Sequence, residues 1–208
     1  MTTTGILDIV TDWARENICS KILLKAPPDD DADPTGAGYD YKRVNPGAFA
    51  MYLPSREKVE PGAAPPIPSI CVQCTEGEDN LSTYRGIMRL QLSFCTWSPG
   101  TYGGDMVEPN PEDYLHPKKW PEDKAKAYFV RTGDGWRDAW NMVDIALREI
   151  ESVTNIGGLV IDRGTPIKYG PFTEQKQIID FYPFWYAWVG FALQYPIQRN
   201  IRGVESLL

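Results

Sequence analysis

The chain holds one histidine, His116, among its 208 residues. That scarcity argues against a histidine-based catalytic triad and against a multi-histidine metal site. No Walker loop is present, and Gly100-Thr-Tyr-Gly-Gly104 lacks both the spacing and the following helix start of a dinucleotide fingerprint. No Gly-x-Ser-x-Gly elbow occurs either. The four cysteines are irregularly placed, which reads as reduced thiols in a cytoplasm. Cys71 and Cys74 are spaced as a Cys-x-x-Cys pair. In an extended strand, however, their sulfurs point to opposite faces and cannot share a zinc ion. The pair does not open a helix, so the redox version fails as well. No apolar run approaches the length of a membrane span, and the polar N-terminus carries no signal-peptide pattern. An excess of positive charge is also missing. The formal net charge of −7 argues against non-specific nucleic-acid binding, which needs a basic footprint.

What is abundant is proline and glycine, 18 of each, which predicts long irregular connections. A hydrophobic fraction of 42% is enough for a core. The length fits a single domain over residues 1–208, with loop insertions at about 26–68 and 98–133. In the first insertion Asp29, Asp31 and Asp33 have the spacing that opens a calcium loop. Pro34 stands where that loop needs glycine, and no glutamate closes it, so a solvated acidic loop is expected.

Two helices are expected. The first runs from Thr4 to about Ser20, with Thr3 or Thr4 as its cap and a stripe of Ile6, Ile9, Val10, Trp13 and, one turn on, Asn17/Ile18. The second opens at Thr132-Gly-Asp-Gly-Trp136 with Asp134 as its cap. Trp136, Trp140, Val143, Leu147 and Ile150 recur along it at helical spacing, and Gly157-Gly158 is read as its stop. Burial of such a stripe is worth roughly 1.5–3 kcal/mol per large side chain. On that reading Trp140→Ala costs on the order of 3–5 kcal/mol. Asp144 and Arg148 are read as a solvated i, i+4 pair rather than as acid/base groups.

Strands are expected at Ala48–Leu53, Ser69–Glu76, Gly86–Trp97, Leu159–Arg163 and Ile167–Gly170, the last either a strand of its own or a continuation of the one before it. Gly86–Trp97 alternates most clearly, with Met88, Leu90, Leu92 and Phe94 inward and Arg89, Gln91 and Ser93 outward. Glu76–Asn80 reads as a turn within an antiparallel pair. The stretch Phe184–Tyr195 is the organising strand, rich in aromatic and β-branched residues. Both of its faces are largely apolar, so it is expected to be covered on both sides. The fold class expected is α+β: a mostly antiparallel sheet of about four or five strands packed against two main helices, with long irregular loops.

Three stretches carry a resemblance. They are Asp134-Gly-Trp-Arg-Asp-Ala-Trp-Asn141 with Asp144-Ile-Ala-Leu-Arg-Glu149, Tyr169-Gly-Pro-Phe-Thr-Glu-Gln175 after Gly157-Gly158, and Tyr182-Pro-Phe-Trp-Tyr-Ala-Trp188. With the order of elements, they resemble the tail terminator (tail completion) proteins of long-tailed bacteriophages, most closely over residues 130–196. The resemblance implies a homo-oligomer, a hexameric ring that caps the tail-tube protein and ends tail elongation. The opposite surface would dock the neck or head-completion protein, and a sheath protein would join in a contractile tail. DNA would pass through the lumen without specific binding, and the protein would reside at the head-tail junction of the virion. No catalytic residue, cofactor, metal or membrane partner is implied. A head-completion or neck connector is the alternative, and a carboxylate-dependent enzyme a more distant one.

The residues expected at interfaces are the aromatics and charges around the last strand and the long loop: Trp97, Trp120, Phe172, Tyr186 and Trp188, with Arg131. Each suits a core equally well by its chemistry.

Overall fold

Thirteen residues of strand, Phe184–Pro196 (β7), pair antiparallel along their whole length with Arg85–Trp97 (β3). This pair is the axis of the computed structural model, which describes residues 2–27, 41–54 and 65–197. The aspartate-rich loop, most of the second proline-rich loop and the tail after Ile197 lie outside the described residues.

The other strands are Gly47–Ala50 (β1), Ser69–Asn80 (β2), Asn155–Ile156 (β4), Leu159–Ile161 (β5) and Lys168–Pro171 (β6). The main sheet has seven strands in the order β4-β5-β7-β3-β2-β1, with β6 pairing β7 as well. β5 meets Leu193 and Gln194, and β6 meets Ala187 to Gly190, so the two follow one another along one edge of β7. All these pairings are antiparallel except β1 with β2. The α+β, mostly antiparallel expectation therefore holds. The count of four or five strands does not: the sheet has seven, and the two-residue β4, too short to show a period, is the one that no expected stretch covers.

Helices Thr3–Asn17 (α1) and Trp136–Ser152 (α3) pack on one face of the sheet, and a short helix, Glu122–Lys126 (α2), lies in the insertion. The register builds apolar rows across the strands on the helical face: Ile70, Phe94 and Ala187, then Val72, Leu92 and Val189. All six are buried, as the alternation in β3 requires.

Both helices are rotated from their expected stripes. α1 buries Ile6, Leu7, Val10, Thr11 and Ala14, while Ile9 and Trp13 are only partly covered. α3 buries Ala139, Met142, Val143, Ala146 and Ile150; Trp140 and Leu147 lie at the border, and Trp136 is 42% exposed. Small alanines sit at the closest approach to the sheet and the bulky tryptophans flank it, an arrangement that a search for large apolar residues misses.

The helix ends also differ from expectation. Thr2, not Thr3 or Thr4, caps α1, its Oγ1 accepting from the Gly5 N–H at 3.1 Å. At α3 the N-cap is Gly135, and Asp134 makes no side-chain capping bond. A Cβ on Gly135 would fall 2.2 Å from Nε1 of Trp185, so the indole holds the place a capping side chain would need. α3 ends at Ser152, before Gly157 and Gly158. Those glycines, with φ of +56° and +88°, make the tight turn between β4 and β5 instead.

Glu76–Asn80 is strand rather than turn, paired in register from Glu76↔Arg89 to Asn80↔Arg85 after a bulge at Cys74/Glu76. The chain reverses just beyond, where Asn80 Oδ1 accepts from the N–H groups of Ser82 and Thr83 at 3.0 and 3.2 Å. The 98–133 insertion is irregular only in part. Gly100–Tyr102 pairs with Phe129–Arg131, and Val107–Glu108 with Lys118–Lys119. Among the described residues no helix is long and apolar enough to cross a membrane.

Candidate functional site

The helices cover one face of the sheet, and the other face carries the candidate site. β3 sends Arg89, Gln91, Ser93 and Cys95 to this side, and their neighbours in register are Cys71 and Gln73 of β2 and Tyr186, Trp188 and Gly190 of β7. Along the middle runs a polar ladder. Gln91 Nε2 donates to Ser93 Oγ at 2.9 Å, and Ser93 donates to Gln73 Oε1 at 2.8 Å.

Two grooves flank this ladder. The larger, about 370 Å³, has Cys71, Gln73, Ser93, Cys95 and Tyr186 along its floor. One wall is Met51–Leu53 and the other is Phe172, Ile179 and Phe181. None of its lining residues is charged. Tyr186 is gripped edge-to-face by Phe172 and Phe181, with centroids 6.4 and 5.7 Å away. The smaller groove, about 240 Å³, includes Trp188, Gly190 and Gln91, with Arg89 and Lys168 among its lining residues. Trp188 is fixed there by its Nε1–H, which donates to the Pro171 carbonyl at 3.1 Å.

The chemistry of the larger groove is quiet. Burial pushes the Cys95 thiol up to about 12, against a smaller opposing effect of its hydrogen bond with Tyr186. The Tyr186 hydroxyl is also raised, by burial first and then by Cys95. Burial pushes Cys71 to about 11. These thiols are protonated at neutral pH, so they are poor nucleophiles. Cys71 and Cys74 sit on opposite faces of β2, and no three metal-ligating side chains converge among the described residues. His116 lies in an exposed loop, its Nδ1 2.7 Å from the Asp113 carboxylate.

Of the residues expected at interfaces, the structure brings Phe172 and Tyr186 together in one groove and sets Trp188 in the next. All three are half-buried. Trp97 is the correction: it is 1% exposed and offers no surface to a partner. It lies beside Phe184 in register, at the end of β3 where the insertion begins. Trp120 sits apart in the insertion, edge-on to Tyr128 at 5.1 Å, with the Lys124 ammonium 3.8 Å from its ring centre. Arg131 is exposed and stacks over Tyr182 at 4.0 Å. Sequence reasoning missed Met51, Tyr52, Leu53, Ile179 and Phe181 as groove walls. The outward assignment of Gln91 and Ser93 was the available signal for this face.

A second cluster anchors the insertion. Asp105 is 2.9 Å from Lys25 Nζ and 2.5 Å from Arg43, and it accepts from the Tyr41 hydroxyl. Lys25 Nζ also donates to the Gly100 carbonyl at 3.0 Å and lies 5.3 Å from the centre of the Tyr102 ring. The cluster ties the start of the insertion to the segments around residues 25 and 43.

No protein-family model, curated protein or solved structure matches this chain.

Proposed function

We propose that the protein is a structural component of a long-tailed phage, a terminator that forms a ring on the tail tube. In this role it ends tube growth and presents its far side to the neck or head-completion protein. A contractile tail would add sheath protein as a further partner. The observation that carries the reading is the uncharged aromatic groove around Tyr186 on the face the helices leave open. Aromatic residues flanked by uncharged polar ones are the composition of a protein interface core. Further support comes from the resemblance over residues 130–196 and from an insertion that carries exposed apolar residues, Tyr114 and Leu115 among them. A net charge of −7 suits a channel subunit past which DNA must slide, since like charge discourages sticking.

The test is electron microscopy of the purified protein, alone and mixed with assembled tail tubes. Six-fold rings capping tube ends are the expected result. Rings that ignore tubes and bind portal would replace this reading with a neck connector. A monomer that binds neither would overturn it.

A further inference from the structure

On the open face of β7 one position, Gly190, presents no side chain. Lys168 of β6 stands opposite it on one side and Gln91 of β3 on the other. Paired strands lie about 4.8 Å apart, so a slot roughly 10 Å wide separates those two residues. The Trp188 indole closes one end of the slot, its edge 3.4 Å from where a Gly190 Cβ would fall. Arg89 stands toward the other end, two residues from Gln91 on the same face of β3 and opposite Ala192. Thr75, Thr165 and Pro166 also line this 240 Å³ groove.

The charge in the groove has one sign. Arg89 and Lys168 line it, and no carboxylate does. Two carboxylates stand near Arg89 without lining the groove, and both are engaged. Glu76 lies 2.9 Å from Arg89 Nε. Asp162 accepts from the Thr165 hydroxyl at 2.6 Å, the Gly164 N–H at 3.1 Å and the Gln194 amide at 3.2 Å. Among the described residues Lys168 has no ion-pair partner, and the terminal amino groups of Arg89 donate no hydrogen bond.

We propose that this groove binds a small organic monocarboxylic acid. The carboxylate lies between Lys168 and Arg89, which donate to it, and the apolar body packs against Trp188 and Pro166. The volume is below the roughly 300–1,000 Å³ of pockets that take drug-sized ligands, which limits the body to one ring or a short chain. Glu76 and Asp162 balance part of the positive charge, so the site suits a single negative charge and opposes a phosphate dianion. The site is complete within one chain and does not depend on the ring-forming reading.

The test follows the indole N–H signal of Trp188 in nitrogen-15-labelled protein near pH 7, assigned by its loss in Trp188→Phe. The probes are 3-phenylpropionate, its neutral counterpart 3-phenylpropanol, phenyl phosphate and the blocked dipeptide N-acetyl-Glu-Phe-amide. 3-Phenylpropionate is expected to shift the signal saturably, and the alcohol to bind roughly ten-fold more weakly or less, as loss of charged hydrogen bonds requires. Lys168→Gln should weaken the acid by a similar factor with an unchanged melting temperature, and Lys168→Arg should restore it. Gly190→Val should also weaken it by filling the slot. A Cβ there meets neighbours no closer than 3.4 Å, and a β-branched residue suits a strand, so this variant should fold. Equal binding of acid and alcohol, or full binding by Lys168→Gln, would overturn the carboxylate site. Tighter binding of phenyl phosphate would overturn the preference for a single charge. A dipeptide that binds where 3-phenylpropionate does not would replace the small acid with an acidic segment of a protein. No saturable shift with any probe would overturn the site altogether.

Discussion

The hydroxyl of Tyr195 donates to Asp79 at 2.7 Å from two strands away. Between them in register stands Gly86, opposite Tyr195 on one side and Asp79 on the other. The ring crosses the middle strand where a side chain is missing, and a Cβ on Gly86 would fall 2.4 Å from it.

Gly86→Ala must therefore displace the Tyr195 ring. We expect it to cost about 1–3 kcal/mol, the usual penalty for overpacking. Tyr195→Phe keeps the ring and loses one hydrogen bond, for about 1 kcal/mol. Urea denaturation of the two variants checks the order. A Gly86→Ala midpoint equal to wild type would show that the ring is not seated over the strand.

Core truncation should separate Phe94 from Trp140. Phe94 is fully buried in the central row, so Phe94→Ala should cost about 3–5 kcal/mol. Trp140 is half-buried and meets Tyr169 edge-on at 6.4 Å. Trp140→Ala should cost less, about 1–3 kcal/mol. Thermal melts that rank the two the other way would return Trp140 to the core.

That correction shows what the sequence could and could not tell. β3 and β7 were legible nearly to the residue, because period-two alternation and aromatic content each leave a mark over many positions. The two helices were legible as elements but not in rotation. The face is set by Ala14, Ala139 and Ala146, whose small size lets helix and sheet approach, and alanine adds little to an apolar stripe. Gly157-Gly158 signalled a stop, but whether it ended a helix or turned a hairpin depended on β5 finding an edge of β7. Of the candidate site, Phe172, Tyr186 and Trp188 were named from aromatic content alone. The walls from Met51–Leu53 and Phe181 come from segments more than a hundred residues apart, and no local pattern announces that they meet.

Thiol labelling should follow exposure. Cys19, Cys71 and Cys95 are buried, with burial raising their thiols to about 12, 11 and 12. Cys74 is the more exposed of the four. Brief treatment of folded protein with iodoacetamide near neutral pH should modify Cys74 first, leaving the other three until denaturant is added. Early modification of Cys71, read by peptide mass spectrometry, would mean that the groove floor opens in solution.

The Asp105 cluster predicts opposite pH effects at two carboxylates. Burial opposes ionisation of Asp105, but Lys25, Tyr41 and Arg43 outweigh it and hold its carboxyl below the ordinary 3.8. It therefore stabilises the fold above that value, and the contribution is lost as pH falls through the lower folded value. Asp138 is raised above 3.8, chiefly by burial and further by Asp105, against Lys25 and Arg43. Its favourable contribution exists only in acid and is lost as pH rises through the raised value. Asp105→Asn should thus lower the urea midpoint at pH 7, and Asp138→Asn should raise it. Both differences should shrink toward about pH 3. A lowered midpoint for Asp138→Asn at pH 7 would contradict this assignment.

β1 pairs with β2 only from Ser69 to Val72. Beyond Val72 no described strand lies along that edge, which carries Glu76, Glu78 and Asp79 before the chain turns back. Open backbone on a strand is a template that another chain can extend, and side-chain charge is a common means of blocking it. Among the described residues this edge is marked by charge rather than by a covering strand, with Glu76 2.9 Å from Arg89 and Asp79 accepting from the Tyr195 hydroxyl. Charge at such a position works against edge-to-edge pairing of one hairpin with another.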